Sequence, residues 1–265
     1  MDSQLLLDLL IVVMCSLVLR GAEPLRITSV EIPKIVRAGT DEPVILDCKY
    51  DMELTSNVAL VVKWYIKQNE LLYQWIHDRR HRGSDEYRHY IDESYKASND
   101  SNTMYRAVKL VKPSHELSGK VKCSISAQDA EVEATSDMLV YSPASVFRLF
   151  HPIINENSTR LTTRCVAEDL YPQPLIMLYR DNQPIENQKQ FYENKSDGRF
   201  TAEVVANLWM NEIKLPTTFQ CEVSIREANY TLVREIVYNG TSQSNVSLLI
   251  SFITGFIITK ATSGC

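Results

Sequence analysis

The sequence predicts an all-β protein built as two sandwiches in tandem, and three observations carry that prediction. Four of the six cysteines, all but Cys15 and Cys265 at the two ends, fall into two widely spaced pairs: Cys48 and Cys123 are 75 residues apart, and Cys165 and Cys221 are 56 apart. Trp64 follows the first cysteine by sixteen residues, in the run Val61-Val62-Lys63-Trp64-Tyr65. The stretches around these residues alternate with the period of two that a half-buried strand requires, since successive side chains point to opposite faces. A disulfide pinning two facing sheets, with a tryptophan ring packed against it, is the arrangement of the immunoglobulin-like sandwich. The longer cysteine span leaves room for the extra edge strands of a variable-type domain, and the shorter one suits a seven-strand, constant-type domain. Of the three pairings that four cysteines allow, Cys48–Cys123 and Cys165–Cys221 are therefore expected.

Residues 1–22 read as a secretory signal peptide. Leu5 to Leu19 is apolar apart from Asp8 and Ser16, and Gly21-Ala22 supplies small residues for cleavage. Export makes disulfides permissible; a retained membrane anchor is the competing reading. The first domain is expected over residues 27–141. Val44, Leu46 and Cys48 share the core side of strand B, and Val62, Trp64 and Ile66 share that of strand C. Gln68-Asn69-Glu70 reads as a hairpin turn, and Leu71 to Ile76 as strand C′. Tyr87 to Ile91 is a candidate edge strand and Val108 to Leu110 lies in strand E. Val121, Cys123 and Ile125 face inward on strand F, and strand G covers Asp137 to Tyr141. Ser142-Pro143-Ala144-Ser145 is a linker.

The second domain is expected over residues 146–238. Leu178 stands where the core tryptophan would be, and Phe219 and Val121 stand where a tyrosine corner would place its hydroxyl. Residues 239–265 contain an apolar run from Val246 to Thr259 after a short polar spacer. Fourteen residues of helix reach about 21 Å, short of a hydrocarbon core of roughly 30 Å. The segment reads as a GPI-attachment signal or a short membrane tail.

Composition is globular, with 45% hydrophobic and 23% charged residues, and a net charge of −5 offers no case for nucleic-acid binding. No Gly-rich phosphate loop, G-x-S-x-G or H-E-x-x-H occurs, so neither an enzyme nor a cofactor is expected. His77-x-x-x-His81 has the spacing of two metal ligands on a helix, but it falls in a hairpin among arginines, and no metal site is expected.

Function has to be sought on surfaces. Six N-x-S/T sequons begin at Asn99, Asn157, Asn194, Asn229, Asn239 and Asn245, nearly all of them in the second domain and the tail. The C, C′, F and G strands of the first domain carry none, which leaves a bare sheet face for a protein partner. Strand phase puts Lys63, Tyr65 and Lys67 on that face, with Lys120 and Lys122 from strand F. Tyr73 and Trp75 share one side of C′, and we expect it to face outward, because Leu72 and Ile76 suit the core. Aromatics framed by cations are the composition of an interface centre. Arg79, Arg80, Arg82 and Arg88 form a candidate basic edge for an acidic partner or a heparan-type glycan, or a merely solvated hairpin diluted by Asp78, Asp85 and Glu86.

Cys48-Lys49-Tyr50-Asp51-Met52-Glu53, Val62-Lys63-Trp64-Tyr65, and Glu70 with Tyr73-Gln74-Trp75 together resemble the beaten-path family of arthropod two-domain neuronal surface proteins. Val36-Arg37-Ala38-Gly39 and Leu117-Ser118-Gly119 fit as well. Gln74 stands where that family has an arginine between aromatics and Val121 where it has a tyrosine, which makes the chain a diverged relative. The resemblance implies a secreted or membrane-tethered receptor that binds another immunoglobulin-family surface protein through its first domain, in axon guidance or neuronal adhesion. A B7- or butyrophilin-like, or soluble immune-type, binding protein has the same two-domain plan and is the competing reading.

Overall fold

A computed structural model describes residues 25–52, 55–128, 130–154 and 159–240. The signal peptide read over 1–22, the tail beyond Gly240 and the sequons at Asn157 and Asn245 lie outside the described residues.

The first sandwich consists of β1 (Arg26–Glu31), β2 (Ile35–Arg37), β3 (Val44–Asp51), β4 (Val61–Ile66), β5 (Glu70–Ile76), β6 (Arg82–Gly83), β7 (Val108–Leu110), β8 (Gly119–Ala127) and β9 (Ala130–Tyr141). One sheet runs β1-β3-β7 and the other β2-β9-β8-β4-β5-β6, so the second carries the added edge strands of a variable-type domain. Cys48 and Cys123 bridge the two with Cα atoms 6.5 Å apart. Val62, Trp64, Ile66, Val121 and Ile125 are fully buried around the bridge. Trp64 satisfies its one polar group by donating Nε1–H to the Arg106 carbonyl at 2.9 Å.

Three local expectations change. The expected strand at Tyr87 to Ile91 is a 3-10 helix over Arg88–Tyr90 followed by a single bridge from Ile91 to Leu110. The hairpin turn sits one residue earlier, at Lys67-Gln68-Asn69, where Lys67 and Gln68 take positive φ. The last strand begins at Ala130 rather than Asp137, pairing with β8 from Ala130 to Met138 and in parallel with β2 from Leu139 to Tyr141.

The second sandwich consists of β10 (Val146–Leu149), β11 (Ile153–Ile154), β12 (Arg160–Leu170), β13 (Leu175–Arg180), β14 (Gln183–Pro184), β15 (Lys189–Asn194), β16 (Phe200–Trp209), β17 (Thr217–Ile225) and β18 (Tyr230–Tyr238). One sheet runs β10-β12-β16-β15, with β11 also on β12, and the other β14-β13-β17-β18. Keeping β15 with the first sheet is the constant-type division. Cys165 and Cys221 bridge the sheets, and Leu178 is fully buried in the tryptophan's place. Phe219, also fully buried, meets the Tyr238 ring edge-on at 6.3 Å.

Backbone and side-chain contacts together clamp the short linker between the sandwiches. Ser142 and Tyr171 exchange backbone hydrogen bonds of 2.9 and 3.1 Å. The Ala144 N–H donates to the Tyr230 hydroxyl at 3.1 Å. From the first sandwich, the His115 ring lies 5.0 Å from that of Tyr171, with Nε2 2.7 Å from the Asp197 carbonyl.

Candidate functional site

The candidate site is the outer face of the six-stranded sheet. Because cross-strand partners share a face, the register builds it row by row. One row is Gln74, Lys63, Ser124 and Glu133; the next is Leu71, Tyr65, Lys122 and Thr135. Tyr65 is half-buried under Lys122, whose Nζ lies 4.7 Å from the ring centroid and 2.9 Å from Glu133 Oε1. A cation held over a ring by a carboxylate is a stiff, amphipathic platform. Lys120 is exposed at the next level, opposite Asp137.

Tyr73 and Trp75 are not on this face, and that expectation is corrected. Trp75 pairs with Val62 and Tyr73 with Trp64, so both share the inward side, at 3% and 2% exposure. Trp75 meets Tyr105 edge-on at 5.8 Å, and the Tyr73 hydroxyl donates to the Tyr105 carbonyl at 3.0 Å. Burial pushes the Tyr73 phenol well above its ordinary range. A β-bulge between Trp64 and Tyr65 adds a residue to β5, which lets Leu72 face inward as well. Lys67 also leaves the face. It lies in the turn, with Nζ 3.4 Å from Glu70 and 3.2 Å from the Tyr87 hydroxyl. The Tyr87 hydroxyl donates to Glu70 and, with Lys67 nearby, holds that carboxyl below the usual carboxylate range.

The basic edge divides. Arg82 pairs with Asp85, and Arg88 with Glu93 at 3.0 Å, whereas Arg79 and Arg80 are exposed in the turn after β5. His77 and His81 take up separate roles: His77 Nδ1 lies 3.0 Å from Asp78, and the His81 ring stacks on Tyr105 at 3.9 Å. Among the described residues no group of three His, Cys, Asp or Glu could hold a metal ion.

Sequence reasoning missed the acidic border of the face. Glu131, Glu133 and Asp137 project outward from β9 beside the lysines, and Glu131 accepts from the Ser124 hydroxyl at 3.1 Å. Their period-two spacing is legible in the sequence, but a strand taken to begin at Asp137 leaves the two glutamates out. The sequon asparagines Asn99, Asn194, Asn229 and Asn239 are exposed, and none lies on the strands of this face.

No protein-family profile and no curated protein matches the chain. A crystal structure of bovine butyrophilin is similar in fold, with a TM-score of 0.61 at 14% identity, covering 78% of this chain and 94% of that one. Domain C3 of an IgNAR antibody superposes with a TM-score of 0.33 at 21% identity, over 37% of this chain and 98% of that one. The first likeness shows the fold: an immunoglobulin-like all-β chain. No helix among the described residues is long and apolar enough to cross a membrane.

Proposed function

We propose that this chain is a recognition protein of the cell surface or extracellular space that binds another immunoglobulin-type surface protein through the outer face of its first sandwich. In line with the beaten-path resemblance, the setting proposed is neuronal adhesion or axon guidance, with the chain tethered through residues 239–265 by a GPI anchor or a short tail. Two inter-sheet disulfides fit an oxidising compartment. The observation that carries the reading is Tyr65 fixed beneath Lys122, flanked by Lys63 and Lys120, on a sheet without a sequon. A preorganised ring with cations around it loses little entropy on binding, and the charges speed encounter.

The test is a pairwise binding screen of the chain against surface-protein ectodomains, followed by Tyr65→Ala and Lys122→Glu. Each variant should be secreted normally and lose at least about tenfold in affinity for the partner found. Binding unchanged in both would move the site elsewhere.

A further inference from the structure

The second sandwich closes most of its sheet edges with short strands, proline, charge or side chains. β14 is two residues long and ends in Pro184, which has no N–H to offer a neighbour. β10 is four residues long. The flank of β13 beyond β14 is capped by amides: the Leu178 N–H donates to Gln188 at 2.7 Å, Gln188 donates to the Leu178 carbonyl at 3.3 Å, and Gln190 donates to the Ile176 carbonyl at 2.7 Å. β15 presents Lys189 and Glu193, both exposed. These are the devices by which a sheet blocks unwanted pairing at its edge.

β18 is the least protected edge. It is nine residues long, and at about 3.4 Å per residue it extends for roughly 30 Å. Among the described residues it pairs with β17 alone, because β10 and β11 both pair with β12. Its run Tyr230-Thr231-Leu232-Val233-Arg234-Glu235-Ile236-Val237-Tyr238 is rich in β-branched and aromatic residues, lacks Pro and Gly, and its two charges cancel. Val233 and Val237 are 45% and 59% exposed. An open strand of that composition is a template for pairing with another chain.

Both ends of this strand carry a sequon. Asn229-Tyr230-Thr231 starts at the residue before β18, and Asn239-Gly240-Thr241 at the residue after it. Both asparagines are exposed. Asn194, the other described sequon of this sandwich, is the last residue of β15, an edge of the sister sheet. Each described sequon of the second sandwich thus stands at an end of an edge strand, and the barest edge has two. A strand pairing along β18 in either direction must run past both ends, where a bulky, hydrated glycan stands in its way. The stretch between them is centred on Arg234 and Glu235, both exposed.

We propose that N-linked glycans at Asn229 and Asn239 guard the free edge of the second sandwich, keeping β18 from pairing with strands of other chains. They do for this edge what Pro184, Gln188 and Gln190 do for the opposite edge of the same sheet. This role lies outside the recognition reading, which uses the face of the first sandwich.

Glycopeptide mass spectrometry of the full chain, made in glycosylating cells, should find both sites occupied. Asn229 has φ of +50°, so Asn229→Gly keeps its backbone accessible, and Asn239→Gln removes the second site. The double variant should melt with wild type yet self-associate at about a tenth of the concentration, followed by sedimentation and light scattering. Peptide N-glycosidase acting on the folded wild type should do the same, which tests the role without any substitution. Adding Val233→Lys to the double variant should restore wild-type behaviour, because a charge on an exposed edge opposes pairing. Asn99→Gln, in a loop of the first sandwich, should change nothing. Either site unoccupied, an enzymatically deglycosylated chain as monomeric as wild type, self-association that Val233→Lys leaves in place, or an equal effect of Asn99→Gln would each overturn the proposal. Tyr65→Ala should leave self-association unchanged, so this result and the recognition reading stand or fall separately.

Discussion

Trp75 shows how much rides on one side chain's direction. The run Leu71-Leu72-Tyr73-Gln74-Trp75-Ile76 has apolar residues at both parities, so alternation alone cannot say which side is buried. Pairing with Val62 and Trp64 settles it, and places the indole in the core beside Tyr105. Trp75→Ala should therefore destabilise the first sandwich by about 3–5 kcal/mol, through lost burial and the cavity left behind. Thermal melting and the secreted yield of the variant check this. Tyr65→Ala, at a half-exposed position, should change melting far less and act on binding instead.

At the scale of elements, the two disulfides do comparable work on unequal cores. The first sandwich packs Trp64, Tyr73 and Trp75 near its bridge, whereas the second has Leu178 in the tryptophan's place. Closing loops of 75 and 56 residues restrains the unfolded chain by about 4 kcal/mol each in the loop-entropy account. Replacing Cys165 and Cys221 together by alanine should remove about that much from the second sandwich. Calorimetry should then resolve two transitions, the lower one belonging to that domain, while the first keeps its midpoint. A single unshifted transition would contradict the expectation.

At the scale of the whole molecule, the joint sets how the outer face of the first sandwich is presented relative to the second. His115, Tyr171, Tyr230 and Asp197 hold the sandwiches across a linker of four residues, mostly through ring contacts and backbone hydrogen bonds. Contacts of this kind are modest individually and act together. The pair His115→Ala and Tyr171→Ala should broaden the distribution of interdomain angles. Small-angle scattering would show that as a wider distance distribution, with little change in the melting of either domain.

The sequence by itself determined the all-β class, the two-sandwich plan and the inward phase of β3, β4 and β8. Cysteine spacing, one tryptophan and period-two alternation are local signals that burial on a single face imposes directly on the chain. It also marked Lys63, Tyr65, Lys120 and Lys122 as outward, because each neighbours an unambiguous core residue. Tertiary structure alone decided two further things: the inward turn of Tyr73 and Trp75, and the withdrawal of Lys67 into a turn. Each depends on which residue of one strand stands opposite which residue of another, and a bulge shifts that by one. Register is a property of paired strands, so no single strand's sequence contains it.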